Sequence, residues 1–270
     1  MIGQAGLKDT IQAQIERETF PRFSIFVGKK GSGRKTLLRE VFRDSIYPVD
    51  TSVADIRGMI SEAYRRLGSK VVYLIADADT MSLQAQNALL KVAEEPPNNA
   101  YIIITVEDER NMLDTIRSRG NIYRMENYTR ADIEKYAENK HKMKGDALEI
   151  VGGVCETLGD VDIMNEYNPK RFYDFVVLVV DHVATVSLAN ALKIGEKIAL
   201  KEEADKYSLK VFFITFNAIC GRRMEQDEKY IKWCLITSKA LRKLQTVKGI
   251  NKQMLFDNWL FDIREWDDGR

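Results

Sequence analysis

Residue types on which many functional sites depend are scarce in this sequence. It has 3 cysteines and 2 histidines among 270 residues. Cys155, Cys220 and Cys234 are far apart and form no CxxC pair, which argues against a zinc site or a disulfide framework. His141 and His182 have no metal-ligand neighbours in the sequence. We therefore predict free thiols and no metal site.

Long apolar runs and an excess of charge of one sign are also missing. The most apolar stretch of the second half, residues 172–180, is too short to cross a bilayer, and the first 20 residues lack the apolar core of a signal peptide. The 41 Lys and Arg residues nearly balance 40 Asp and Glu residues, which disfavours a nucleic-acid binder acting alone. We expect a cytoplasmic protein with no membrane segment.

The first half of the chain alternates apolar runs with helical patterns. Strands are predicted at residues 24–27, 71–75, 101–106 and 122–125. Helices are predicted at residues 37–42, 53–67 and 83–94, the last of them capped by Ser82. Strands that are apolar on both faces and separated by helices predict a parallel sheet covered on both sides, an α/β fold.

The second half is predicted to be helical. Thr129 and Asp132 resemble a capping box, which predicts that a helix starts at this point. Gly152-Gly153 punctuates this region, and residues 165–169 are predicted to form a linker. Further helices are predicted at residues 172–185, 188–201, 208–224, 228–246 and 251–263. The pattern divides the chain into an α/β core at residues 1–127, a small helical domain at residues 128–168 and a larger one at residues 169–270.

A glycine-rich stretch, GKKGSGRKT at residues 28–36, lies between a predicted strand and a predicted helix, the context that a phosphate-binding loop needs. The usual pattern continues from the last glycine with Lys and then Ser or Thr, but Arg34 and Lys35 occupy those places. Lys35-Thr36 comes one residue late, about 100° around the helix, and so points elsewhere unless the loop adapts. The candidate phosphate-binding residues are Gly28, Gly31, Ser32, Gly33, Arg34, Lys35 and Thr36. Nucleotide binding stays open, hydrolysis is disfavoured, and a loop kept only as a fold element is the alternative.

A second motif, LIADAD at residues 74–79, lies at the end of a predicted strand. In hydrolysing P-loop ATPases this place carries an Asp that holds Mg²⁺ and often a Glu that polarises water. Here Ala76 and the shorter Asp77 stand instead, and alanine offers no ligand. We interpret Asp77 and Asp79 as turn and helix-capping residues.

Residues 82–97, SLQAQNALLKVAEEPP, closely resemble the AQNALLKxxEEPP signature of sliding-clamp loader subunits. The strand at residues 101–105 resembles the sensor-1 strand of that family, and TIRSR at residues 115–119 resembles its TxRSRC motif. The chain departs from the family in having Gly120 in place of the cysteine, no four-cysteine zinc module and Glu156 where sensor 2 has an arginine. The resemblance covers residues 1–127 with specific motifs.

This resemblance implies an AAA+ core with a helical lid and a C-terminal helical collar. Thr105 would be the sensor-1 residue, while Glu156 would mark a lost sensor 2. Arg119 would be an arginine finger that reaches the ATP site of a neighbouring subunit, with Arg117 structural. A surface arginine paired with an acid such as Glu126 is the alternative.

The function implied is that of a subunit that does not hydrolyse ATP itself. Its partners would be ATPase subunits and a delta-type subunit in a hetero-pentamer, the sliding clamp, and primed DNA through the complex. No cofactor is required, and binding of ATP or ADP without turnover is left open. Two alternatives are an active ATPase that uses Lys35-Thr36 in a shifted loop and an independent DNA-binding module.

Overall fold

The computed structural model describes residues 2–68, 70–190, 192–193, 208–247 and 249–268. The chain divides into two compact units, residues 1–129 and 130–270. The predicted small and larger helical domains both fall in the second unit, and their separation from each other stays a prediction.

The first unit is built on a parallel sheet of five strands. The strands are β1 (Phe23–Val27), β2 (Ile46–Val49), β3 (Val71–Ile75), β4 (Ala100–Val106) and β5 (Asn121–Arg124). Their order across the sheet is β2-β3-β4-β1-β5, so β4 lies between β1 and β3. The predicted α/β fold with a parallel sheet is confirmed.

Helices cover both faces of this sheet. They are α1 (Ala5–Glu16), α2 (Arg34–Phe42), α3 (Val53–Arg65), α4 (Leu83–Glu94) and the short α5 (Asp114–Arg117). One face packs Ile25, Ile75 and Ile104 against α3 and α4, and the other packs Phe26 and Ile103 against α1 and α2. Because successive strand residues point to opposite faces, strands covered on both sides have to be apolar throughout.

Two elements of this unit were not predicted. Strand β2 contains Pro48 and is partly exposed, so it lacks both the apolar run and the alternation by which a strand is found. Among the described residues it pairs with β3 alone, and an edge position is where a proline is tolerated in a sheet. Helix α1 has a weak apolar pattern, with Ile11 as its single buried residue.

The second unit is helical throughout its described elements. These are α6 (Arg130–His141), α7 (Asp146–Val154), α8 (Leu158–Glu166), α9 (Pro169–His182), α10 (Ser208–Arg223), α11 (Lys229–Thr246) and α12 (Lys252–Asp268). Gly152 and Gly153 lie inside α7 and do not interrupt it. The predicted linker at residues 165–169 is reduced to residues 167–168, because α8 continues to Glu166 and α9 begins at Pro169. Most of the predicted helix at residues 188–201 lies outside the described residues.

Aromatic side chains from α10, α11 and α12 form the core of this unit. Phe212, Phe216, Trp233 and Trp259 are buried together, and the rings of Phe216 and Trp259 meet edge to face at 4.9 Å. Among the described residues, no helix is long and apolar enough to cross a membrane. The same part of the chain holds no group of three or more potential metal ligands, and burial raises the pKa of the Cys155 thiol.

Candidate functional site

The strand order brings three of the predicted motifs to one edge of the sheet. In a parallel sheet all carboxyl ends lie at the same edge, where α/β proteins bind ligands. The glycine loop follows β1, the LIADAD motif ends β3, and Thr105 lies near the end of β4. Because β4 separates β1 from β3, Thr105 stands between the other two motifs.

The glycine loop has the backbone of a tight turn onto a helix. Gly31 and Gly33 have φ angles of 86° and 83°, a conformation that favours glycine, and Gly33 is the N-cap of α2. The Tyr128 hydroxyl donates to the Ser32 carbonyl at 2.7 Å. A Cβ on Gly28 would lie 2.7 Å from Met125 Cγ, so this glycine has no room for a side chain.

Two cations of the loop converge on one carboxylate. Arg34 Nη2 lies 3.4 Å from Asp77 Oδ1, and Lys35 Nζ lies 2.8 Å from Asp77 Oδ2. Asp77 lies in a turn and at the N-cap position of the short 3₁₀ helix Ala78–Thr80, although its side chain makes no capping hydrogen bond. Arg34 and Lys35 both reach this carboxylate, which belongs to a residue in an αL turn. Thr36 is exposed.

The backbone at Asp77 is fixed by the neighbouring strand. Asp77 has a φ angle of 54°, and its N–H donates to Thr105 Oγ1 at 3.0 Å. Thr105 is fully buried, so its hydroxyl is held by the sheet. Ala76 precedes this turn without a ligand side chain, and Asp79 Oδ2 accepts a long hydrogen bond from the Glu107 N–H at 3.4 Å.

Two polar atoms of the loop are buried without a hydrogen-bond partner. They are Ser32 Oγ and Arg34 Nη1, on side chains whose residues are 4% and 5% exposed. Ser32 Oγ would lie 2.8 Å from a Cβ built on Gly28, which places the hydroxyl inside the curve of the loop. Buried polar atoms are rarely left unsatisfied in folded proteins.

Arg119 lies at the opposite edge of the sheet, where the strands have their amino ends. It comes two residues before β5, whose amino end, Asn121, is in register with Ser24 near the start of β1. Arg119 Nη1 donates to the Thr115 carbonyl at 2.9 Å, and Nη2 lies 3.0 Å from Glu94 Oε1. Arg119 is thus paired with an acid, as in the alternative stated above, although the acid is Glu94 and Glu126 was the example given there. The arginine side chain is 36% exposed.

Helix α4, which carries the signature residues, also holds the segment before Arg119. The Gln86 side chain donates to the Asn111 carbonyl at 3.2 Å and accepts from the Leu113 N–H at 2.9 Å. The same segment contains a short turn at Glu109–Asn111, whose N-cap is Asp108. A hydrogen bond from Arg110 lowers the pKa of the Asp108 carboxyl. Gln86 was not predicted as a site residue. Its position within the family signature at residues 82–97 is the signal that could have identified it.

The remaining predicted residues have local contacts. Arg117 pairs with Asp114 at the surface. A Cβ on Gly120 would lie 2.5 Å from Ile25 Cδ1, so the family cysteine would not fit here without a shift. Glu156 is exposed in the turn between α7 and α8.

A family model described as "DNA polymerase III, delta subunit" matches residues 48–129. The DNA polymerase III subunit delta′ of Haemophilus influenzae is 36% identical over 73 residues, which are 27% of this chain and 22% of that protein. The chain is related to the delta′ subunits of bacterial DNA polymerase III. The subunit delta′ of Escherichia coli is 33% identical over 86 residues, 32% of this chain and 24% of that one. The matches thus span about a quarter of these relatives.

The fold of this delta′-related chain extends the likeness beyond the matched segment. A DNA polymerase III gamma subunit-related protein from Thermotoga maritima aligns with a TM-score of 0.54 at 16% identity. The alignment covers 96% of this chain and 98% of that one. At this identity the likeness is one of fold alone.

Proposed function

We propose that this chain is a clamp-loader subunit that does not hydrolyse ATP but completes the ATP site of a neighbour with Arg119. In this proposal it assembles with ATPase subunits and a delta-type subunit, and the assembly places a sliding clamp on primed DNA. The observation that carries the proposal is the separation of Arg119 from the chain's own glycine loop across the sheet.

The separation follows from the direction of the strands. The loop leaves β1 at its carboxyl end, whereas Arg119 precedes the amino end of β5, the parallel neighbour of β1. At about 3.3 Å per residue, the four residues of β5 span roughly 10 Å, and the loop begins beyond that distance. This separation supports a role of Arg119 toward a nucleotide outside its own subunit.

The contacts of Arg119 suit such a role. Its guanidinium rests on Glu94 and on the Thr115 carbonyl, two acceptors at a partly exposed surface. Exposed ion pairs contribute only about 0–1 kcal/mol, so exchanging Glu94 for a phosphate group costs little. In a dry interface a planar guanidinium stabilises the charge that develops on a transferring phosphoryl group.

Loss of hydrolysis in this chain is supported by the residues at its own loop. Ala76 supplies no ligand for Mg²⁺, and Lys35 stands where a hydroxyl would hold the ion. Asp77, at the position of the residue that polarises water, is engaged by Arg34 and Lys35. Metal binding and activation of water would therefore both be impaired.

The test is reconstitution with the cognate ATPase subunits, the delta-type subunit, the clamp and primed DNA. Arg119→Ala should assemble normally, as measured by co-elution, and lower ATP turnover at the one site it contacts by on the order of 10³. Arg124→Ala is a matched control, because this exposed arginine pairs with Glu109 at the other edge of the sheet. Stimulation by Arg119→Ala equal to that by the unmodified chain would show that Arg119 is structural.

A further inference from the structure

The glycine loop of this chain carries the features of an anion site, yet two of its cations, Arg34 and Lys35, already share a carboxylate of the same chain. Gly31 and Gly33 curl the backbone onto α2, a nine-residue helix whose N-terminus favours negative charge. Arg34 and Lys35 stand at its first two positions. Both are paired with Asp77.

The loop also holds polar groups that this internal pairing leaves unused. Ser32 Oγ and Arg34 Nη1 are buried and have no partner. Ser32 Oγ lies inside the curve of the loop, against Gly28. A hydroxyl inside the loop and a buried, unpaired guanidinium nitrogen on the residue that follows Gly33 are groups that donate to phosphate oxygens. These observations are independent of the helix N-terminus.

We propose that the Asp77 carboxylate takes the electrostatic place of a phosphate and closes this loop to polyphosphate anions. An incoming di- or triphosphate has to displace the carboxylate from Arg34 and Lys35, and it meets the negative charge of Asp77 itself. Removal of that single charge opens the loop to pyrophosphate, ADP or ATP.

The backbone conformation at Asp77 allows its charge to be removed without a change in the turn. Asp77 is held in the left-handed conformation by the hydrogen bond from its N–H to Thr105. Asparagine is among the few residues that tolerate this conformation. Asp77→Asn therefore removes the charge while keeping the turn, whereas alanine would strain it.

Binding is measured on the full chain with a fluorescent ATP analogue and, by calorimetry, with inorganic pyrophosphate. Asp77→Asn should bind each probe on the order of ten- to a hundredfold more tightly than the unmodified chain. Binding should not need Mg²⁺, because Ala76 offers no ligand. Glu62→Gln is the matched control, since it removes one surface charge paired with Arg66 on the same unit.

A second variant shows which groups do the binding. Asp77→Asn combined with Arg34→Met should lose the gained affinity, because Arg34 supplies the buried guanidinium. Circular dichroism melts of each variant establish that it is folded. Equal affinity of folded Asp77→Asn and the unmodified chain would overturn the proposal, as would a gain that survives Arg34→Met.

The inference concerns the loop and not the arginine at the other edge, so the two proposals fail separately. Loss of the Arg119 effect in the reconstituted assembly leaves the binding experiment unaffected. Conversely, tight binding of ATP by the unmodified chain would overturn the Asp77 inference. The role of Arg119 would still be decided by ATP turnover in the reconstituted assembly.

Discussion

Gly120 shows how one residue can be fixed by its surroundings. The related signature has a cysteine here, but in this chain a Cβ would come within 2.6 Å of Ile25 Cδ1 and Cγ1. Ile25 is fully buried and belongs to the core that packs against one face of the sheet. The departure from the signature is therefore a matter of packing at β1.

Replacement of Gly120 by alanine should destabilise the protein by about 1–3 kcal/mol, the cost of overpacking a core. The measurement is urea unfolding followed by circular dichroism. Gly58→Ala is the matched control, because nothing lies within 4 Å of a Cβ there and the position is inside α3. That change should stabilise by about 0.5–1 kcal/mol. Equal effects of the two substitutions would contradict the role of Ile25.

Asp77 illustrates the limit of reading single residues from the sequence. Its position in the motif could be recognised, and so could the cations of the glycine loop. That Arg34 and Lys35 share its carboxylate depends on the αL turn at Asp77 and on Thr105, which lies 28 residues later in the sequence. No local pattern contains that information.

At the scale of elements, helix α4 links the family signature to the arginine segment. Its buried face supplies Gln86 to the backbone after β4, and its last residue, Glu94, meets Arg119. The helix bounds were predictable because Ser82 caps the start and Pro96 follows the end. The partners of its polar residues were not, since they come from a later loop.

Substitution of Gln86 by leucine should remove both of its hydrogen bonds and leave the Asn111 carbonyl and the Leu113 N–H without this partner. A hydrogen bond contributes about 0.5–1.5 kcal/mol to stability, so for two of them we expect a loss of about 1–3 kcal/mol by urea unfolding. In the reconstituted assembly, ATP turnover should fall as well, because the segment before Arg119 is released.

Gln84→Leu is the control for this prediction. It makes the same chemical change two residues earlier on the exposed face of α4, where substitutions usually alter stability by less than about 0.5 kcal/mol. If Gln86→Leu proved as stable as Gln84→Leu, the amide of Gln86 would not hold the loop.

At the scale of the whole molecule, a buried ion pair joins helices that the sequence assigned to separate domains. Asp160 on α8 lies 2.8 Å from Lys210 on α10, and their side chains are 3% and 13% exposed. Asp160 also accepts from the Thr157 N–H in a capping box. All of these residues lie in the second compact unit.

Lys210→Met should destabilise this unit by about 3 kcal/mol, because it leaves the Asp160 carboxylate buried without its counter-ion. Thermal unfolding measures the effect. Lys170→Met is the matched control, since Lys170 pairs with Asp146 at an exposed position, where the expected change is about 0–1 kcal/mol. Similar losses for both lysines would mean that the Asp160 pair is not buried in solution.

The sequence by itself determined the class of the fold and the bounds of its strongest elements. Strands β3 and β4 could be predicted because they are buried on both faces and are therefore apolar throughout. Helix α4 could be predicted because its capping residue and its apolar periodicity lie within the helix sequence itself. The weaker β2 escaped prediction because an edge strand with Pro48 needs no such pattern. Only the tertiary structure decided that the loop charges meet Asp77 and that Arg119 lies at the far edge of the sheet, because strand order and direction bring together or separate residues that the sequence leaves tens of positions apart.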